Sequence, residues 1–213
     1  MGAYSKTLTL HLAAASANNI CLSQSIIAAG NLIINGAAAT AGVATLDIAR
    51  RVLFTFAANE TGHNFTVTGT NRSGYAQTEV VAGNASTAYT VKDFLTISNI
   101  AVDAATTGAL TVGTNGIASS EPYIVDRFIN PANITVATEV TGTVNYSIEI
   151  CYTDLAPAWD LTGTQPVWYA PSNTTALTSK AANANDQVIG PITMMRLTQN
   201  SGTGTTVARV LVQ

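Results

Sequence analysis

The stretch FTVTGTNRSGYAQTEVVAG, residues 65–83, consists of two short alternating runs joined by a turn. In the first run Phe65 and Val67 point to one face and the threonines to the other, because successive side chains of a strand alternate. The turn NRSG, residues 71–74, starts with Asn and ends with Gly, which suits a tight reversal. The stretch therefore predicts a β-hairpin with one buried face and one face of uncharged hydroxyl groups.

Short alternating runs recur along the rest of the chain. TLTLHL, residues 7–12, places Leu8 and Leu10 on one face, and ARRVLFTFAA, residues 49–58, has the same alternation. About ten to twelve short strands are predicted, with turn residues between them, as is typical of sandwiches and barrels. We therefore predict an all-β protein of one or two β-sandwiches, built from short antiparallel strands with little helix.

Further turn motifs predict the connections between these strands. Hairpins are expected about DAATTG at 103–108, TG at 141–142 and SGTG at 201–204, whereas GAAATAG at 36–42 predicts a loop or a close backbone contact. The predicted organisation is an N-terminal strand or arm, a β-sandwich, a connector, and a second sandwich or completing sheet, at 1–28, 29–116, 117–131 and 132–213. Whether these segments form one domain or two stays open at this point.

The chain is poor in charge. Only 10% of its residues are charged, against about 25% in an average soluble domain. Lys and Glu are depleted in the buried centres of protein interfaces. The composition therefore predicts a protein that packs against neighbours in multiple copies or as a homo-oligomer. The alternative is a secreted β-domain with a polar, uncharged surface.

Charge and hydropathy also argue against several partners. The net charge is −3, and the basic pair Arg50–Arg51 is the one basic cluster, so nucleic acid is not expected as a partner. The sequence has no apolar run of about 18 residues, so no membrane partner is expected. The N-terminus alternates instead of forming the apolar block of a signal peptide, which predicts a protein made in the cytoplasm.

The sequence offers no recognisable catalytic or metal-binding motif. Its two histidines, His11 and His63, fall in a strand and a turn, and no G-x-S-x-G elbow or cluster of metal ligands is present. Glu139 and Glu149 could form the carboxylate pair of a hydrolase, but any β-protein offers such pairs by chance. We therefore predict no enzyme, no metal and no cofactor.

Cys21 and Cys151 lie far apart in apolar stretches. Buried free thiols are the first expectation, and a single long-range disulfide is the alternative.

Three groups of residues are candidates for contacts with a partner. The aromatic loop, with Trp159, Trp168 and Tyr169, could be a lid over the sandwich, a protein contact or a sugar-binding platform. Arg50 and Arg51 could reach an interface, or could pair with Asp47 or another carboxylate. The N-terminal strand supplies the remaining candidates, Leu8 and Leu10.

Several motifs occur in the order found in a family of tailed-bacteriophage virion proteins. GNLIINGA at 30–37 resembles the family's GNL-x-x-NGA opening, and LDIARRV at 46–52 resembles its Leu-Asp-x-x-Arg-Arg-Val strand start. FTVTGT at 65–70 and the TEVV return resemble its hairpin. VGTNGIASS, TGTVNYSIEICYTD and RLTQNSGTGTTVARVLVQ are similar to it as well, so the resemblance spans most of residues 29–213. The turn NRSG and the loop 155–190 depart from the pattern.

The resemblance implies a function and a location. It implies a non-enzymatic virion structural protein, with no catalytic residues to transfer, that binds the major capsid protein or other virion proteins. We expect an auxiliary head protein that decorates or cements the capsid lattice, or alternatively a neck, tail or fibre-attachment component. From the aromatic residues alone, the competing hypothesis is a carbohydrate-binding adhesion module.

Overall fold

The structure is a computed structural model that describes residues 4–125, 133–153 and 166–212. All regular elements of these residues are strands, and their pairing is antiparallel, which confirms the predicted all-β, sandwich-like class. None of the described residues forms a helix long and apolar enough to span a membrane. The strands are β1 Tyr4–His11, β2 Ser16–Gln24, β3 Gly30–Asn31, β4 Ala39–Thr40, β5 Val43–Phe56, β6 Asn64–Thr70, β7 Ala76–Ala82, β8 Thr87–Tyr89, β9 Phe94–Val102, β10 Leu110–Ser119, β11 Tyr123–Ile124, β12 Asn133–Thr141, β13 Val144–Cys151, β14 Trp168–Tyr169, β15 Ala184–Ile189, β16 Met194–Gly202 and β17 Thr205–Val212.

The chain divides into two compact units. The terminal unit contains residues 1–14 and 116–213, and the central unit contains residues 15–115. Residues 1–28, which the sequence analysis treats as one N-terminal segment, are thus shared between the two units. β1 belongs to the terminal unit because it pairs along its whole length with β17.

The hairpin predicted from residues 65–83 is confirmed. β6 pairs with β7 from Asn64↔Ala82 to Thr70↔Ala76. At the turn, the side-chain Oδ1 of Asn71 accepts hydrogen bonds from the backbone N–H groups of Ser73 and Tyr75, at 2.9 and 3.0 Å. Gly74 follows with φ at 85°, a conformation that glycine adopts without the steric penalty of a Cβ. The local sequence therefore fixes this element.

The sheet of the central unit has the order β10-β5-β9-β6-β7. Its core includes an aromatic cluster in which the Phe65 ring lies 5.2 Å from the rings of Phe54 and Phe56. The hairpin predicted about residues 103–108 is wrong, because β5 lies between β9 and β10. β5 is 14 residues long and has β9 as its neighbour on one edge and β10 on the other.

The predicted close backbone contact at 36–42 is present. A Cβ on Gly36 would lie 2.3 Å from the backbone carbonyl of Asn19, so no larger residue fits there without a shift of the backbone. The Gly36 N–H also donates a hydrogen bond to the carbonyl oxygen of Ile20, at 2.9 Å.

The terminal unit is built from two sheets. One has the order β1-β17-β12-β15, and in the other β13 lies between β14 and β16. The hairpins predicted about 141–142 and 201–204 are wrong, because β12 and β17 belong to the first sheet and β13 and β16 to the second. β12 leads into β13, and β16 leads into β17. Both connections therefore cross between the two sheets at the same place, where the two strands of each sheet are paired with each other.

Glycines allow the backbone to bend where these two connections cross between the sheets. Gly142 and Gly202 have positive φ values of 80° and 94°. The N–H groups of Thr203 and Gly204 both donate to the carbonyl oxygen of Thr143, at 3.0 and 2.9 Å. A Cβ on Gly202 would lie 2.3 Å from that same oxygen. The turn motifs therefore mark a bend between two layers, which is a recognised way of joining packed sheets.

Candidate functional site

Exposed aromatic side chains lie at one edge of the second sheet of the terminal unit. Trp168 and Tyr169 form β14 and pair with Cys151 and Ile150 of β13. The rings of Tyr152 and Tyr169 lie 5.7 Å apart at an angle of 49°, and each side chain is 49% exposed. We call Tyr152, Trp168 and Tyr169 the aromatic edge. Trp159, the other aromatic candidate of the predicted loop, lies outside the described residues.

Trp168 differs from the two tyrosines because a charged group covers it. The Arg196 guanidinium carbon lies 4.3 Å from the centroid of the Trp168 ring, a cation–π geometry. Glu149 fixes Arg196 by accepting a hydrogen bond from its Nε at 2.7 Å, and also accepts one from the Thr198 hydroxyl at 2.8 Å. The indole is therefore held in place, whereas the side chains of Tyr152 and Tyr169 are about half exposed.

Arg50 and Arg51 are both engaged within the central unit. Arg50 is 1% exposed, its Nη1 lies 3.1 Å from Asp47 Oδ1, and its Nη2 donates to the carbonyl oxygen of Asn115. The Nε of Arg51 lies 3.7 Å from Asp93 Oδ1. The pairing with Asp47 that the sequence offered as an alternative is thus present. Arg50 has almost no accessible surface to offer a partner.

Leu8 and Leu10 point into the terminal unit. They are 4% and 1% exposed, because they occupy the inner face of β1. The outer face of the same strand carries Thr7 and Thr9, which are exposed. Any partner that approaches β1 would therefore meet the threonines and the strand backbone, not the two leucines.

Several exposed aliphatic side chains are not among the residues that the sequence predicts as partner contacts. Ile27 is 97% exposed, Val91 71% and Ile33 67%, and Val80 and Ile189 are exposed as well. No local motif marks them, since exposed and buried aliphatic residues look alike in a Thr-rich β-sequence. They become recognisable only when the structure shows which face of each strand or loop is covered.

Four ion pairs of the described residues join opposite charges within one unit. Arg196 pairs with Glu149 and Arg209 with Glu139, and both pairs bridge neighbouring strands. His63 lies between Asp103, at 3.5 Å, and the buried Glu60, at 3.9 Å. These pairs leave fewer unpaired charges than the composition alone indicates.

Asp103 is further stabilised in its ionised form. Its pKa is lowered chiefly because the backbone N–H of Asn64 donates to the carboxylate at 2.9 Å, with smaller contributions from the Asn64 side chain and His63.

The described residues include both cysteines and both histidines of the chain. Among them, no group of three or more His, Cys, Asp or Glu side chains is arranged to hold a metal ion. Cys21 and Cys151 are both buried free thiols, as first expected. Burial raises the pKa of the Cys21 thiol to about 12, so it stays protonated and unreactive in the folded protein. The ring Nδ1 of His11 lies 2.9 Å from the Thr205 hydroxyl, at an exposed position.

Comparison of the chain with models of known protein families, with curated proteins and with solved structures finds no match. Function is therefore inferred from the geometry above together with the order of the sequence motifs.

Proposed function

We propose that this chain is a non-enzymatic structural protein of a tailed-bacteriophage virion and, within the virion, an auxiliary head protein that decorates or cements the capsid lattice. The supporting observation is the character of its surface. Ile27, Val91 and Ile33 are largely exposed, while most charged side chains of the described residues form an ion pair or a hydrogen bond within their own unit. An exposed aliphatic, nearly uncharged surface is suited to coverage by neighbouring subunits.

The mechanism is the burial of surface without covalent chemistry. Burial of apolar surface contributes roughly 25 cal/mol per Å², and a specific interface buries about 1,600 Å² in total. Repetition of such a contact over a lattice adds up to a large resistance to internal pressure. Antiparallel sheets provide rigid faces for these contacts, since their backbone groups are already paired.

The order of the motifs from residue 30 to the C-terminus supports the assignment to a virion, and the major capsid protein or another virion protein is the proposed partner. A neck, tail or fibre-attachment component is the nearest alternative. The copy number in purified particles distinguishes the two. We expect quantitative mass spectrometry to give a number close to the number of capsid lattice positions, whereas a number that fits a single ring would assign the chain to the neck or tail.

The exposed aliphatic surface can be tested by substitution. We expect Ile27→Asp to reduce incorporation into particles strongly, because a carboxylate would have to be desolvated in the contact. Ser73→Asp adds the same charge at an exposed hairpin turn of the same unit and serves as the matched control. Equal incorporation of both variants and the unmodified protein would argue against a docking surface at Ile27.

The aromatic edge favours one alternative function, a carbohydrate-binding adhesion module. Exposed tyrosine rings can stack on sugar faces while their hydroxyls form hydrogen bonds. On this alternative, a glycan array would show binding that is lost in Tyr169→Ala and retained in Tyr75→Ala, a control at an equally exposed tyrosine of the central unit. Absence of glycan binding by the unmodified protein would leave the virion contact as the function of this edge.

A further inference from the structure

The four-stranded sheet of the terminal unit has two outer strands, and the described residues cap only one of them. At β15, the Asn173 side-chain amide donates to the carbonyl oxygen of Gln187 at 2.7 Å and accepts from the N–H of Ile189 at 3.4 Å. This side chain imitates a neighbouring strand, which is a common protection of sheet edges. In the described residues, β1 has no such cap: its hydrogen bonds are the ladder to β17 and the bond between His11 and Thr205.

The uncapped edge has a defined hydrogen-bonding capacity. In an antiparallel pair, alternate residues direct their N–H and C=O groups away from the partner strand. β1 therefore presents a row of backbone donors and acceptors on the side opposite to β17. Thr7 and Thr9 stand on its exposed face, and threonine both favours strand geometry and pairs well across strands.

A groove of about 490 Å³ lies beside this edge, lined by Lys6–Thr9 on one side and Ser120–Ile124 on the other. The second wall is anchored to β16. The Ser120 N–H donates to the carbonyl oxygen of Leu197 at 2.7 Å, and Tyr123 pairs with Met195. The space beside β1 is therefore bounded by structure that is already in place.

Two opposite charges line the groove without a partner. Within the described residues, Glu121 is the one carboxylate whose side chain has neither an ion pair nor a hydrogen bond, and the ammonium group of Lys6 has no ion pair either. Both residues are exposed. A surface that offers one free cation and one free anion is complementary to a second copy of itself when the two are related by a two-fold axis.

We propose that β1 is a self-association edge: two copies of this chain pair their β1 strands antiparallel about a two-fold axis, so that Lys6 of each copy lies near Glu121 of the other. The pairing joins two four-stranded sheets into one continuous sheet, and the open backbone groups of β1 become ladder hydrogen bonds. This proposal does not rest on a virion function, since it concerns the isolated protein.

Charge reversal tests the pairing. We expect sedimentation velocity over a concentration series to show a monomer–dimer equilibrium. Lys6→Glu and Glu121→Lys should each raise the dimer Kd by roughly tenfold, because each creates two like-charge contacts in the symmetric dimer. The double variant restores opposite charges and should return the Kd close to that of the unmodified protein. Lys180→Glu, a charge reversal on the same unit outside the groove lining, should leave it unchanged.

Hydrogen exchange locates the contact. The outward-facing amides of β1 should gain protection as the protein concentration rises through the Kd, while those of the capped strand β15 should not. A protein that remains monomeric at millimolar concentration, a dimer whose Kd is insensitive to both single reversals, or concentration-dependent protection confined to other strands would each overturn the proposal.

Discussion

Among the described residues, buried ions occur only in the central unit, whereas both units bury neutral polar groups. The central unit buries ions: Arg50 and Glu60 are 1% and 0% exposed. The terminal unit buries neutral groups, as in the hydroxyl of Tyr146, which contacts the Thr138 hydroxyl and donates to the carbonyl oxygen of Ala182 at 3.0 Å. Burial of a charge requires several strong partners, whereas burial of a hydroxyl requires only one or two.

The buried carboxylate of Glu60 and the buried hydroxyl of Tyr146 connect different parts of the structure. The Glu60 carboxylate accepts hydrogen bonds from the N–H groups of Thr107 and Gly108, at 3.1 and 2.9 Å. It thereby holds a loop that no strand ladder holds. Tyr146 belongs to β13 and Thr138 to β12, so their contact links the two sheets of the terminal unit. The buried Glu60 carboxylate thus orders a loop of the central unit, and the buried Tyr146 hydroxyl links the two sheets of the terminal unit.

The largest expected effect comes from the aromatic core of the central unit. Phe54→Ala removes a fully buried ring and should lower the free energy of unfolding of this unit by about 3–5 kcal/mol. Each unit contains one buried free thiol, Cys21 in the central and Cys151 in the terminal unit. In Phe54→Ala, the rate of thiol labelling at Cys21 should therefore rise by about two orders of magnitude or more over that of the unmodified protein. The labelling rate at Cys151 should change little. Equal acceleration at both thiols would show that the two units open together.

The contrast between buried charge and buried hydroxyl predicts an intermediate effect. Glu60→Gln replaces one acceptor oxygen with an NH₂ group that faces a backbone N–H, and should cost about 1–3 kcal/mol. Tyr146→Phe removes one neutral hydroxyl and should cost about 0.5–1.5 kcal/mol. Urea unfolding followed at the thiol of the affected unit measures both. A larger cost for Tyr146→Phe than for Glu60→Gln would reverse the comparison.

The smallest expected effect appears on acidification. The pKa of Asp103 in the central unit is lowered chiefly by the Asn64 N–H, and that of Asp186 in the terminal unit chiefly by the Thr174 hydroxyl. Since both folded-state pKa values lie below the ordinary value of 3.8, each carboxylate stabilises the fold above that pH and loses this contribution as the pH falls through the folded-state pKa. In Asp103→Asn, the stability of the central unit, measured by labelling of Cys21, should depend less on pH in the acid range, while that of the terminal unit is unchanged. In Asp186→Asn, the same should hold for the terminal unit, measured by labelling of Cys151.

Several local features of the fold could be predicted from the sequence. The hairpin at 65–83 and the ion pair of Arg50 with Asp47 depend on residues close together in the chain. Alternation of side chains likewise predicts the buried face of Leu8 and Leu10. Because both side chains are buried, neither offers accessible surface to a partner.

The pairing of strands could not be predicted from local sequence in the same way. A short Gly-containing turn can reverse a strand within one sheet, as at 71–74, or lead it into a second sheet, as at 141–142 and 201–204. The residues of the turn are compatible with both outcomes. The choice depends on which distant strand completes the hydrogen-bond ladder, and that partner is not encoded near the turn.

The sequence by itself therefore determined the class of the fold, the inward face of its strands and the scarcity of charge, because these depend on side-chain type and on spacing along the chain. Only the tertiary structure decided which strands are neighbours, which aliphatic side chains remain exposed, and that β1 has an open edge beside Lys6 and Glu121. These are properties of contacts between distant residues, and burial and pairing exist only once those contacts have formed.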